Sequence, residues 1–295
     1  MKNFLLIFQL TLISLIILSC NTDTSAETTE EVKQMEMPAP SPTAKFEQKA
    51  GLTDVVIKYA RPSVRNRVVY GNLVPYDKMW RTGANENSII TFSTSVMIDE
   101  TTIEAGTYSI YTIPGVESWE FILYSDSNNW GLPSNWDENK VAVQTTIPSV
   151  KLSSKVETFQ ISMDNISNNN FTLGIAWDDV YLGVNIQLPT AEIVMGSIKE
   201  VLKNPKSSDL YKAALYLLQE NRDLENAKSW MDQSIEMMDE PMFYHLRQQS
   251  LIYAALKDYK GAIEIAKVSL EKSIKAGNSD YEKMNLDSID LWASM

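Results

Sequence analysis

Phe171-Thr-Leu-Gly-Ile-Ala-Trp177-Asp-Asp-Val-Tyr-Leu182-Gly-Val-Asn-Ile-Gln-Leu188 is the stretch that decides the fold class. Phe171, Leu173, Ile175 and Trp177 alternate with Thr172 and Gly174. After Asp178-Asp179, Leu182, Val184, Ile186 and Leu188 alternate with Tyr181, Gly183, Asn185 and Gln187. A period of two marks strands with one buried face. The paired aspartates read as a turn, because Asp bonds its own backbone there.

Working backwards, the same period recurs in Phe159–Met163, Val141–Ile147, Trp119–Leu123, Thr107–Ile113, Val96–Ile98, Ile89–Ser93 and Val55–Tyr59. With the two rows above this makes about nine strands. Polar turns such as Asp99-Glu100, Ala105-Gly106, Pro114-Gly115 and Asn168-Asn169-Asn170 separate them. Many short strands with polar turns predict an antiparallel β-sandwich over residues 45–189. No strand–helix alternation and no glycine-rich phosphate loop is present, which argues against a doubly wound nucleotide fold.

Working forwards, the period becomes helical after Pro189. Helices are expected at Ala191–Lys203, Asp209–Glu220, Leu224–Met238, Met242–Leu256, Tyr259–Ala276 and Ser279–Ala293. Two blocks, Arg222-Asp-Leu-Glu-Asn-Ala227 and Lys257-Asp-Tyr-Lys-Gly-Ala262, stand thirty-five residues apart. That spacing resembles the tetratricopeptide repeat, whose small residue after the turn lets paired helices pack closely. The position of the usual later aromatic holds Met231 in one copy and Ala266 in the other. The fold class is thus α+β in two parts, a sandwich followed by helical hairpins at 190–295. The resemblance implies that the helical part docks a peptide or protein segment.

The start of the chain reads as export machinery. Lys2 precedes an apolar run from Phe4 to Leu18, too short for a membrane span. Ile17-Leu18-Ser19-Cys20 resembles the lipobox of bacterial lipoproteins, which implies a signal peptide at 1–19 and an acylated Cys20 carrying a membrane anchor, palmitate included. Asn21 after the cysteine leans towards the outer membrane. Residues 20–44 are rich in Thr, Glu and Ser and end in Pro38, Pro40 and Pro42, the composition of an extended, disordered tether. The expected location is the bacterial cell envelope.

Composition narrows the chemistry. Cys20 is the only cysteine and His245 the only histidine, so the sandwich contains neither. A Ser-His-Asp triad, a Cys-His pair, a zinc-hydrolase site and a copper site are excluded there. Asp178-Asp179 and Asp137-Glu138 offer oxygen pairs in predicted turns, but no metal site and no cofactor is expected. The net charge of −12 argues against nucleic acid as a partner.

One segment opposes that charge. Four of the six arginines, Arg61, Arg65, Arg67 and Arg81, lie between Tyr59 and Glu86 among Tyr59, Tyr70, Tyr76 and Trp80. A guanidinium matches carboxylate or phosphate two bonds at a time, and aromatic faces stack on it or on a sugar. The candidate ligand residues are Arg61, Arg65, Arg67, Tyr70, Trp80, Arg81, Asn85 and Glu86. The competing reading is an internal network in which Arg61 and Arg81 pair with Glu86 and Asp77. Trp130 and Trp136, flanking Gly131-Leu-Pro133, read either as a carbohydrate platform or as a loop packed on a sheet edge.

Tyr59-Ala-Arg-Pro-Ser, Tyr70-Gly, Leu73-Val-Pro, Trp80-Arg-Thr-Gly-Ala-Asn-Glu86, Ala105-Gly-Thr-Tyr-Ser109, Thr112-Ile-Pro-Gly115 and Glu157-Thr-Phe159 together resemble the exported bacterial family called domain of unknown function 2911. Trp136-Asp137 stands where Tyr-Asp is expected. The resemblance implies a β-sandwich secreted by gram-negative bacteria, sometimes followed by helical repeats, and it implies no reaction. Three functions remain open. The first is a lipid-anchored binding or assembly protein with an anionic or sugar ligand on the sandwich. The second is an envelope hydrolase or lyase using Glu86 as its catalytic carboxylate with Arg61 and Arg81. The third is a scaffold with no small-molecule site.

Overall fold

The computed structural model describes residues 37–295. The leader, Cys20 and most of the tether lie outside the described residues. Nine strands form one antiparallel sheet: β1 (Thr43–Ala50), β2 (Thr53–Ala60), β3 (Ile89–Phe92), β4 (Val96–Ile98), β5 (Thr101–Ile103), β6 (Gly106–Ile113), β7 (Ser118–Tyr124), β8 (Val141–Asp164) and β9 (Asn170–Gln187). Their order is β1-β2-β3-β6-β7-β8-β9-β4-β5.

The sheet becomes a sandwich through β8. Its first part pairs with β7 and its second with β9, so one 24-residue strand serves both layers. From Lys151 to Gln160 on β8, nine steps face only four on β9, from Val180 to Ala176. The surplus is absorbed as bulges, which bend a strand and raise its twist. One core then fills the space between the layers, with Ile57, Ile90, Phe121 and Leu123 from one side and Phe159, Phe171, Ile175 and Val184 from the other. Beyond β2 the chain fastens the layers directly. The Phe159 amide donates to the Pro62 carbonyl (2.8 Å) and the Val64 amide to the Glu157 carbonyl (2.8 Å).

The strand count agrees with the sequence reading, but two strands are exchanged for two. Asp178-Asp179 does not turn the chain back; β9 runs through it as a single strand. The buried set shifts there from odd positions (Phe171, Leu173, Ile175, Trp177) to even ones (Leu182, Val184, Ile186). Only an inserted residue permits such a shift within one strand. Asp178, with φ of 51°, supplies it. Val141–Ile147 and Phe159–Met163 likewise belong to one strand, β8. Conversely, β1 and the three-residue β5 were not expected.

Six helices follow, α1 (Thr190–Val201), α2 (Ser207–Gln219), α3 (Leu224–Glu236), α4 (Phe243–Ala255), α5 (Tyr259–Lys275) and α6 (Ser279–Ala293), each near its expected place. Neighbours pack in sequence, α2 on α3, α3 on α4, α4 on α5 and α5 on α6. The two repeated blocks play one structural role. Asp223 and Asp258 cap α3 and α5, their carboxylates accepting from the Asn226 and Gly261 amides. Ala227 and Ala262, four residues on, are fully buried where the helices of each hairpin meet. The junction with the sandwich is polar. Glu220, ending α2, accepts from the side-chain amides of Asn168 (2.6 Å) and Asn169, in the turn between β8 and β9. Among the described residues no helix is long and apolar enough to cross a membrane.

Candidate functional site

Residues 61–88 form a run of turns fixed by aromatic packing. Arg65, Asn66, Asp77, Thr82 and Asn85 all take positive φ, as does Gly83 at 152°. Such a path holds only when its large side chains are anchored. Trp80 is the anchor. Its indole stacks on Trp177 (5.9 Å between centroids, 18° between planes) and meets Phe159 edge-on at 5.4 Å. Its Nε1 donates to the Gly83 carbonyl (3.1 Å), and its backbone exchanges hydrogen bonds with Thr112 of β6 (2.7 and 2.9 Å). Tyr70 packs edge-on against Trp119 at 5.0 Å and Trp177 at 6.4 Å. Burial pushes its phenol well above the ordinary range, helped by the negative charge of Asp178 and Asp179. Tyr70 is therefore a neutral core residue beneath the site.

Three of the four arginines meet around one cavity of about 310 Å³. Arg65, Arg67 and Arg81 line it together with Trp80, Trp177, Leu73 and Gly83. Arg67 is braced, Nε donating to the Val64 carbonyl (3.0 Å) and Nη2 to the Ser63 carbonyl (2.6 Å). Arg65 donates from Nη2 to the Pro40 carbonyl (2.7 Å). Among the described residues the Arg81 side chain forms neither a hydrogen bond nor an ion pair. Carbonyls carry no net charge, so the three arginines line one concavity with no carboxylate bonded to any guanidinium, and the Arg81 Nη1 lies beside Gly131 at its rim. Glu157 comes nearest, but its carboxylate accepts from the Arg65 backbone amide (2.9 Å).

Arg61 lies apart from that lining. Its Nε donates to the Phe159 carbonyl (3.0 Å) while its own amide donates to the Pro42 carbonyl (2.9 Å), tying β1, β2 and β8 together. Glu86 pairs with Lys58 at 2.7 Å rather than with an arginine, and both partners are about half exposed. The catalytic grouping of Glu86 with Arg61 and Arg81 is not assembled. Nor is the network in which Arg61 and Arg81 pair with Glu86 and Asp77. The side chain of Asn85 donates to the Ser41 carbonyl (3.1 Å). Asn85 and Glu86 line a separate recess with Lys58, Asn87 and Trp130.

The remaining sequence candidates have local duties. Asp178 pairs with Lys155 (2.6 Å) and Asp179 with Lys151 (3.7 Å). Asp137 caps the 3-10 turn at Glu138–Lys140. Trp136 is packed, stacking on Tyr124 at 4.4 Å. His245 accepts the Met242 amide at Nδ1 (3.1 Å), and burial lowers its pKa. Among the described residues no group of three His, Cys, Asp or Glu side chains is placed to hold a metal ion. Sequence reasoning missed Trp177 as a wall of the site, because in its strand it reads as one more inward residue.

Residues 41–186 match the family described as Protein of unknown function (DUF2911). The β-domain of this chain belongs to that family. The match ends at β9, leaving all six helices outside it. No curated protein and no solved structure matches the chain.

Proposed function

We propose that this chain is a lipid-anchored binding protein of the bacterial cell envelope whose sandwich captures an anionic ligand. The single observation that carries the reading is the cavity lined by Arg65, Arg67 and Arg81, whose guanidinium groups bond no carboxylate among the described residues. Arg65 and Arg67 are exposed and Arg81 is half-buried, so the fork of each remains within reach of an anion from solvent. Trp80 and Trp177 add an apolar wall, which excludes water and strengthens a charge-assisted bond to carboxylate or phosphate.

Binding fits these residues better than catalysis does. The cavity lining holds no carboxylate, histidine or cysteine as a proton carrier or nucleophile; Glu157, nearby, is held by the Arg65 amide, and Glu86 lines a different recess. The helical hairpins supply the second part of the reading, a surface that docks a peptide segment. A thermal-shift screen of the purified chain against phosphate, sulfate, uronates and neutral sugars tests the proposal. Anions are expected to raise the β-domain transition in wild type but not in Arg65→Ala/Arg81→Ala. A wild type that responds to no anion would overturn it.

A further inference from the structure

Trp130 is 68% exposed, yet it is not on a loose loop. Asn129 before it donates from Nδ2 to the Tyr111 hydroxyl (3.0 Å) and the Gly131 carbonyl (3.0 Å). The Tyr111 hydroxyl donates to the same carbonyl (3.1 Å). Lys140 pairs with Asp126 (3.0 Å), and the Asp126 carbonyl accepts from the Ser109 hydroxyl (3.0 Å). An indole held out from braced backbone is pre-organised, and its flat face remains open.

Amide and charged groups surround that face. Two neighbouring recesses, of about 140 and 300 Å³, share Trp130, Lys58, Glu86 and Asn87 in their linings. Asn85 enters the first, and Asn128 and Asn129 the second. Asn87 is only 5% exposed. Its Nδ2 shares two hydrogens among Tyr111 (2.9 Å), Asn129 (3.0 Å) and Ser109 (3.2 Å), which fixes the side chain as a brace beneath the recess.

We infer that this groove is a second site, independent of the arginine cavity, and that it binds a neutral sugar ring stacked on Trp130. Vicinal hydroxyls both donate and accept, as a mixture of amides, one carboxylate and one ammonium requires. The apolar face of a pyranose suits an exposed indole, whereas a purely apolar ligand would leave those polar groups unpaired. The recess argues against a phosphate or carboxylate ligand, since its one cation, Lys58, is already paired with Glu86.

The test is tryptophan fluorescence and isothermal titration of the whole chain with neutral hexasaccharides of glucose, xylose, mannose and N-acetylglucosamine. At least one is expected to bind, with at least a tenfold loss in Trp130→Ala and no loss in Arg67→Ala, whose side chain bonds only the Val64 and Ser63 carbonyls. Trp130→Ala should melt as wild type does, because the ring is exposed. Asn128→Ala and Glu86→Gln, also at the surface, should each weaken binding about threefold. The inference is overturned if no hexasaccharide binds at millimolar concentration, or if the one that binds is unaffected by Trp130→Ala. Loss of binding in Arg67→Ala instead would assign the sugar to the arginine cavity and equally overturn it.

Discussion

Gly83→Ala tests whether the turn carrying Trp80 is built as described. Gly83 has φ of 152°, a region that side chains with a Cβ rarely adopt. A Cβ there would stand 2.8 Å from the Ser88 Oγ and 3.3 Å from the Ala60 carbonyl oxygen. Ser88 cannot simply swing away, because it is buried and its hydroxyl donates to the Thr82 carbonyl (2.6 Å). The backbone strain costs about 1–3 kcal/mol. Crowding adds about 1–2 kcal/mol, which brings the loss to about 2–5 kcal/mol. Ser88→Ala alone should cost about 1–2 kcal/mol, by leaving the Thr82 carbonyl unpartnered. It also removes the nearest clash, so the double variant should recover about 1–2 kcal/mol relative to additivity. Urea unfolding followed by tryptophan fluorescence reads this directly, since five of the seven tryptophans lie in the β-domain. A loss below about 0.5 kcal/mol for Gly83→Ala would refute the positive-φ turn. Strict additivity would refute the packing of Gly83 on Ser88.

Single substitutions elsewhere have equally definite outcomes. Glu86→Gln removes a half-exposed pair with Lys58 and should change stability by less than about 1 kcal/mol in urea melts. Glu220→Ala severs the bonds from Asn168 and Asn169, and should cost about 1 kcal/mol and speed proteolytic cleavage between β9 and α2. His245 has its folded-state pKa lowered by burial, so the unfolded chain takes up the proton first. The stability this gives is complete above the ordinary histidine pKa and falls as pH drops through it to the folded value. The helical transition, followed by circular dichroism, should therefore weaken on acidification more in wild type than in His245→Gln. The proposed lipid anchor, read from the sequence and outside the described residues, predicts that Cys20→Ser moves the protein from the membrane to the soluble fraction and abolishes incorporation of labelled palmitate.

Much of this could be read from the chain because burial leaves a periodic signature. Phe171, Leu173, Ile175 and Trp177 announce an inward face, and the capping aspartates Asp223 and Asp258 announce helix starts. The continuity of β9 was hidden because Asp178-Asp179 favours a turn and a bulge equally. Only pairing with β8, fixed by residues far away in sequence, chooses between them. Strand β1 was hidden for a different reason. It is an edge strand with most side chains exposed, so Phe46 is its one large apolar residue. At the site, the clustering of arginines was visible in composition, but their partners were not. Arg61, Arg65 and Arg67 donate to backbone carbonyls, and a carbonyl has no letter of its own. The Lys58–Glu86 pair joins residues twenty-eight apart, a register set by the fold rather than by local spacing.

On the proposed function, Arg65, Arg67 and Arg81 together offer an anion guanidinium groups that no carboxylate of the described residues occupies. Isothermal titration of a short oligogalacturonate, at low ionic strength where screening is weakest, measures it most directly. Wild type should bind, Arg81→Ala should bind at least tenfold more weakly, and Arg81→Lys, which keeps the charge without the planar fork, should fall between them. Equal affinity in all three proteins would contradict the claim.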